Sequence, residues 1–328
     1  HPDLSMQSKI LMLNEVLYSK YENEVLGKQI SYPAKVKKAL DKKYASFFGD
    51  GKWKTSIYDF YREFLQVQAV AGKEVDIPET SFDVYDLAAL AYIYKRIKET
   101  DPVREASHVV IDEAQDFGMM AYCCLHYCLR GCTYTIMGDT SQNIHFRYGL
   151  NDWEELRKLV LTGTYDAFGL LRKSYRNTVE IASYAANLIG VTDLELFERH
   201  GMPVLERDVT DLEAALREAV DTLFPDEKTY ETAAVIVPDE KTAERAYLIL
   251  REILAEKDFD CEKRLSWLNR DSSSFKKGLT VTTFYLAKGL EFDQVFSIFP
   301  KDEKREIMMQ AQYIAATRAL HELRVYHI

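Results

Sequence analysis

His108-Val109-Val110-Ile111-Asp112-Glu113-Ala114-Gln115-Asp116 decides the fold of this chain. An apolar run of strand composition stops abruptly in clustered carboxylates. Ending a buried strand in two adjacent acids is costly, because each carboxylate loses hydration unless a partner replaces it. A divalent cation carrying a nucleoside triphosphate is such a partner. Asp112, read as the strand's last residue, is placed to hold Mg²⁺ through a water shell. Glu113, on the turn, is placed to polarise an attacking water. A plain strand followed by an acidic surface turn would read the same way.

Downstream of this stretch the chain alternates strands with helices, the pattern of a parallel α/β sheet. Strands are predicted at 133–137, 233–237, 279–284, 294–299 and 323–327. Helices are predicted at 153–161, up to Leu188, and at 212–223, 242–256 and 307–320, with 191–208 as a loop crossing. Upstream, residues 1–100 read as mostly helical. Ile10, Leu13, Val16 and Leu17 form an apolar face before Gly27. A helix follows Pro33 and ends near Gly49-Asp50-Gly51. Another, after Thr55, carries Ile57, Phe60, Tyr61, Phe64 and Leu65 at helical spacing. A loop over 72–80 leads to a helix from Asp86 to Glu99.

The 328 residues suffice for two domains with real cores, and 47% hydrophobic with 29% charged residues is ordinary for a globular protein. A net charge of −10 argues against a basic nucleic-acid footprint over the whole surface. Lys35, Lys37, Lys38, Lys42 and Lys43 could form a local nucleic-acid patch, but a solvated helix face is the simpler reading. No apolar run is long enough to span a bilayer and no signal-peptide pattern occurs, so the expected setting is cytoplasmic, without a membrane partner. Cys123, Cys124, Cys128 and Cys132 cluster around His126. Their spacing fits no common zinc pattern, and on an apolar helix, where Cys124 and Cys128 share a face, they read as small buried hydrophobes.

In open parallel sheets, ligands bind at the carboxyl ends of strands. Polar residues suited to a nucleotide recur near such ends. After Asp112 and Glu113 come Asp139 and Gln142, whose amide can reach a phosphate or water without competing for the metal. Tyr175 and Arg176 pair an aromatic for a base with a cation for a phosphate. Lys288, Gly289 and Glu291 follow the strand ending at Phe284, and Arg318 lies on a late helix. Each has a structural reading: surface ion pairs for Arg176 and Arg318, core for Tyr175, a helix cap for Glu291. Their joint order is harder to explain that way.

The series resembles the superfamily 1 helicases of the UvrD/Rep type. Asp112-Glu113-Ala114-Gln115-Asp116 resembles the Walker B motif of that family. Gly138-Asp139 with Gln142 and Ile144 resembles its next motif, in which the glutamine couples phosphate state to domain movement. Ser174-Tyr175-Arg176 resembles the motif whose tyrosine stacks on adenine and whose arginine contacts the γ-phosphate. Thr283 through Phe292 resembles the motif whose glutamate, here Glu291, binds the ribose. Ala316-Thr317-Arg318-Ala319 resembles the last motif, with the second arginine. The likeness covers residues 108–328. No Gly-x-x-x-x-Gly-Lys-Ser/Thr string occurs, nor the upstream glutamine motif, and Tyr285 stands where the family has histidine. Phe197-Glu198-Arg199-His200-Gly201-Met202-Pro203 and the short span from Arg176 to Thr280 are closer to the HelD branch, ATPases that remodel RNA polymerase.

The resemblance implies an α/β, P-loop NTPase (RecA-like) fold with parallel sheets in two domains and an N-terminal helical insertion. Residues 1–100 would be the insertion or arm, 101–165 the C-terminal part of a first RecA-like domain, and 166–328 the second. The chain would be a fragment of a longer motor whose missing N-terminal part completes the first domain. That motor would bind ATP and Mg²⁺ between its domains and act on single-stranded DNA or RNA polymerase. Asp112 would be the metal residue. Glu113, Gln142, Arg176 and Arg318 would be catalytic, and Tyr175, Asp139, Gly289 and Glu291 would bind the nucleotide. A non-catalytic module that contacts RNA polymerase is the competing expectation.

Overall fold

The computed structural model describes residues 4–24, 32–98, 106–129, 131–145, 148–171, 173–192, 195–224, 230–257, 259–272, 277–301 and 306–328. The expected boundary between 100 and 101, the glycine at 27 and Arg172 lie outside them. The chain forms two compact units: unit 1 comprises 1–138 and 152–166, unit 2 comprises 139–151 and 167–328.

Among the described residues, unit 1 begins with four helices: α1 (Met6–Glu24), α2 (Ala34–Ala45), α3 (Ile57–Val70) and α4 (Val84–Ile97). A parallel strand pair follows, β1 (His108–Ile111) and β2 (Thr133–Ile136), linked by α5 (Met119–Cys128), and α6 (Glu154–Val160) completes the unit. Ser56 caps α3, and Asp83 closes a capping box with Asp86 on α4, which satisfies amides that a helix start leaves bare. Tyr61 and Leu65 of α3 pack on Ala89 and Leu90 of α4. The expected apolar face of α1 is not its buried face: Leu13 and Val16 are about half exposed, while Asn14 and Tyr21 are buried. Asn14 explains the orientation. Its Nδ2 donates to Gly49 O at 2.8 Å and its Oδ1 accepts from Phe48 N at 2.9 Å, so a polar side chain ties α1 to the loop after α2. The lysine-bearing α2 buries no residue.

Unit 2 is built on a six-stranded sheet. Its strands are β5 (Leu205–Asp208), β6 (Thr232–Val237), β7 (Leu265–Trp267), β8 (Gly278–Thr283), β9 (Phe292–Phe299) and β10 (Ala319–His327), and two-residue β3 (Lys173–Ser174) and β4 (Glu195–Leu196) pair separately. The sheet order is β5-β10-β9-β6-β8-β7, and every pairing is parallel. Strand periodicity divides the core in two. Ala233, Val235, Val237, Leu279 and Val281 face a core with α8 (Leu212–Asp221) and α9 (Glu240–Ala255). Ala234, Ile236, Val295 and Leu323 face one with α7 (Val179–Leu188) and α11 (Glu306–Thr317). The expected α/β class with parallel sheets is present, and in unit 2 the sheet is covered on both faces. The predicted crossing at 191–208 contains β4 and the edge strand β5. A further short helix, α10 (Cys261–Arg264), leads into β7.

Candidate functional site

In unit 1, the β1 ladder closes at Ile111, one residue before the expected end, so Asp112 opens the turn instead of closing the strand. Met137 N donates to Ile111 O at 2.8 Å and Ala114 N to Met137 O at 2.9 Å, which locks the turn onto the end of β2. Both acids are exposed, whereas Ala114 and Gln115 are fully buried. Glu113 has φ 51°, a left-handed conformation that a glutamate adopts only when its surroundings hold it there. Buried Gln115 supplies one hold, its Nε2 donating to Glu113 Oε2 at 2.6 Å. Gly138 makes room for that amide: a Cβ there would collide with Gln115 Oε1 and stand 2.9 Å from Ala114 N. Asp112 accepts from Glu113 N through Oδ1 at 2.8 Å. An exposed carboxylate at the turn suits a hard cation that keeps most of its water, so Asp112 fits Mg²⁺.

The cysteines of α5 are free, and Cys124 and Cys128 stand with their sulfurs 3.9 Å apart. Burial, then the neighbouring Cys128, pushes the Cys124 thiol up to about 12, so it is neutral at ordinary pH. Among the described residues no group of three or more His, Cys, Asp or Glu is arranged to hold a metal ion.

Unit 2 brings most of the other candidates into one network. Arg318 is 2% exposed. Its Nη2 donates to Gln142 Oε1 at 2.9 Å and to Thr317 Oγ1 at 3.1 Å, its Nε to Ile314 O at 3.2 Å, and its Nη1 to Leu290 O at 3.4 Å. Gln142 Nε2 in turn donates to Asp139 Oδ2 at 2.9 Å, which also accepts from Tyr313 OH at 3.2 Å. Burial, with the Asp139 charge beside it, raises the Tyr313 phenol and keeps it a donor. Lys288 Nζ donates to Gln142 O at 3.1 Å. Gly289, in the same connection, has φ +82° with open space where a Cβ would stand, so its backbone conformation is what calls for glycine. Arg176 Nε and Glu291 Oε1 pair at 2.6 Å, both side chains somewhat under half exposed. Glu291 and Arg318 immediately precede β9 and β10, whose first residues Phe292 and Ala319 are in register. The arginine cluster therefore lies at the amino ends of these two strands, not at carboxyl ends. Tyr285 donates to Glu240 Oε1 at 3.2 Å, and Arg270 pairs with the same oxygen at 2.9 Å.

Two positioning residues were given no role from the sequence, although Arg199 lies in the 197–203 stretch. Asn177, 6% exposed, donates from Nδ2 to Ala319 O at 2.6 Å and to Thr317 O at 3.3 Å, the carbonyls flanking Arg318. Arg199 Nη2 donates to Arg176 O and, at 2.7 Å, to Leu320 O. Together they fasten the Arg176 loop to the Arg318 segment. The Arg199 loop is itself anchored, because Glu180 accepts from His200 Nδ1 and from Gly201 N, each at 2.9 Å.

That anchor gives a pH prediction. The hydrogen bond from His200, then that from Gly201 N, lowers the Glu180 carboxyl from 4.5 to about 2. A carboxyl whose pKa falls on folding contributes fully above its unfolded value and loses that contribution as pH drops through the folded one. Wild type is expected to lose stability between about pH 4.5 and about pH 2 more steeply than Glu180→Gln. Urea midpoints of the two proteins across that range check it, and parallel curves would refute the anchor.

No family profile matches the sequence, and no curated protein matches it. Solved structures do resemble the chain. The C-terminal domain of a possible DNA helicase from Lactobacillus plantarum WCFS1 is 24% identical, over 47% of this chain and 88% of that one, with a TM-score of 0.37. The PRRSV helicase is 14% identical, over 81% of this chain and 45% of that one, with a TM-score of 0.39. Arterivirus nonstructural protein 10, a helicase in complex with DNA, is 14% identical, over 82% and 52%, with a TM-score of 0.36. The chain spans about half the length of these two viral helicases.

Proposed function

We propose that the chain is part of a helicase-like motor of the UvrD type, which hydrolyses ATP to move on nucleic acid or to remodel RNA polymerase. The observation that carries this reading is the unit 2 network. Gln142, Arg176, Glu291 and Arg318 are far apart in sequence, yet Gln142 bonds Arg318, Arg176 pairs with Glu291, and Asn177 and Arg199 bind the two arginine segments together. In this reading Glu113 takes a proton from the attacking water and Gln115 holds its carboxylate in place. Asp112 would hold Mg²⁺, which supplies charge neutralisation on the phosphates. Tyr175 stacks on the base, Glu291 accepts from the ribose, and Arg176 and Arg318 stabilise charge on the transferred phosphoryl group. Asp139 holds the Gln142 amide, and Gly289 lets the backbone turn beside the nucleotide.

The sequence contains no Gly-Lys-Ser or Gly-Lys-Thr string to cradle the phosphates. The purified chain is therefore expected to bind Mg-ATP weakly and to release phosphate at close to the uncatalysed rate. Thermal shift with ATP and a phosphate-release assay check the two halves. Absence of any ATP binding would overturn the nucleotide reading. Robust turnover abolished by Glu113→Gln would overturn the claim that this chain lacks a phosphate-gripping element.

A second reading, a non-catalytic module contacting RNA polymerase, draws on the apolar side chains left exposed in unit 1, among them Val16, Phe64 and Val67. Nucleotide-independent capture of purified polymerase by the chain, lost on Val67→Asp, would favour it.

A further inference from the structure

We propose that Phe197 is the second wall of a nucleobase-stacking platform, with Tyr175 as the first and Lys173 as its cation; this rests on the nucleotide reading above. Strand geometry builds the platform. Lys173 pairs with Glu195 and Ser174 with Leu196, and Phe197 N donates to Ser174 O at 3.2 Å, so the pairing continues past the ladder. Residues two apart on a strand share a face. Lys173 and Tyr175 therefore stand beside Glu195 and Phe197. The Tyr175 and Phe197 rings are 5.4 Å apart between centroids and tilted by 40°. Lys173 Nζ stands 5.5 Å from one centroid and 5.8 Å from the other.

Both rings remain open to solvent, Tyr175 at 62% and Phe197 at 44%. Two aromatic rings held together by backbone pairing, left uncovered and topped by a cation, are what a flat heteroaromatic ligand needs. The Arg176–Glu291 pair begins at the next residue and offers groups for phosphate and ribose, so the platform takes the base of a free nucleotide in preference to a base in a strand. The tilt lets one ring stack face-on while the other closes the edge of the base.

The test measures three probes on the full chain: ATP, inorganic tripolyphosphate and single-stranded oligodeoxyadenylate. Phe197→Leu is expected to weaken ATP about tenfold and change tripolyphosphate by less than about twofold, since stacking serves only the base. Phe197→Trp is expected to keep wild-type ATP affinity, which a merely structural role for Phe197 would not predict. Unchanged ATP affinity in Phe197→Leu, with loss in Tyr175→Leu, would overturn the platform and leave the proposed function standing. A wild-type chain that binds no ATP would overturn both. Loss of oligodeoxyadenylate binding alone would refute the free-nucleotide assignment.

Discussion

Gly278→Ala is expected to lower the melting temperature of unit 2 by about 8–16 °C, corresponding to a loss of about 4 kcal/mol in a unit of this size. Two costs combine. Gly278 has φ +120°, a conformation that residues with a Cβ rarely adopt, and a Cβ there would overlap the Arg264 carbonyl oxygen and stand 2.8 Å from Arg264 Cα. Neither obstacle can rotate away, because both are backbone. The strand cannot shift either: Gly278 N donates to Glu231 O at 3.0 Å, and β8 is paired with β6 on one side and β7 on the other. Gly190→Ala separates the terms. Its φ is +70° with nothing within 4 Å of a Cβ, so it carries only the backbone cost, about 1 kcal/mol. Calorimetry on the three proteins decides. If Gly278→Ala and Gly190→Ala melt together, the close approach of β8 to Arg264 is wrong.

The sequence made the centre of unit 2 legible and its margins illegible, for one physical reason. Strands buried on both faces must be apolar throughout, and Ala233 to Val237 announces itself that way. Edge strands need not be. β5 is Leu-Glu-Arg-Asp, three of its four residues exposed, and its place depends on register with Arg324 to His327. β7 has three residues and gave no periodic signal. In unit 1, helical spacing selected Leu13 and Val16 as core, but Asn14 decided the orientation of α1 through long-range hydrogen bonds that no local pattern reveals.

The candidate site divides similarly. Gln142, Arg176, Glu291 and Arg318 were singled out by type and order, and in unit 2 Gln142 bonds Arg318 while Arg176 pairs with Glu291. Asn177, Arg199 and Tyr313 were given no role, since an asparagine donating to two carbonyls or an arginine bridging two loops looks like any other until the chain is folded. The resemblance named Arg176 and Glu291 as separate ligands for phosphate and ribose, yet they satisfy each other at 2.6 Å. A nucleotide that engages both must separate them.

Arg318 raises the same conflict in a more buried setting. Its guanidinium is enclosed and donates to four acceptors contributed by Gln142, Leu290, Ile314 and Thr317. A planar fork meets carbonyls in several directions at once, which an ammonium on a flexible stem cannot do. Arg318→Leu is expected to cost unit 2 about 3 kcal/mol, because Gln142 Oε1 and Leu290 O are left without this donor, and Arg318→Lys to cost about 2 kcal/mol. The pair term is separable. A double-mutant cycle of Arg318→Leu with Gln142→Leu is expected to give a coupling of about 1–2 kcal/mol, since Arg318 Nη2 donates to Gln142 Oε1 while Asp139 holds the other end of that amide. The same bond restrains Arg318 from other work. For its Nη2 to meet a phosphate through the proton now given to Gln142 Oε1, that bond must break, so along this route saturating Mg-ATP should shrink the coupling measured in its absence. Urea unfolding of the four proteins with and without nucleotide tests both statements. A coupling near zero without nucleotide would remove the Gln142–Arg318 bond from the network, and a coupling that ATP leaves unchanged would refute a phosphate role for the Nη2 proton that Gln142 now holds.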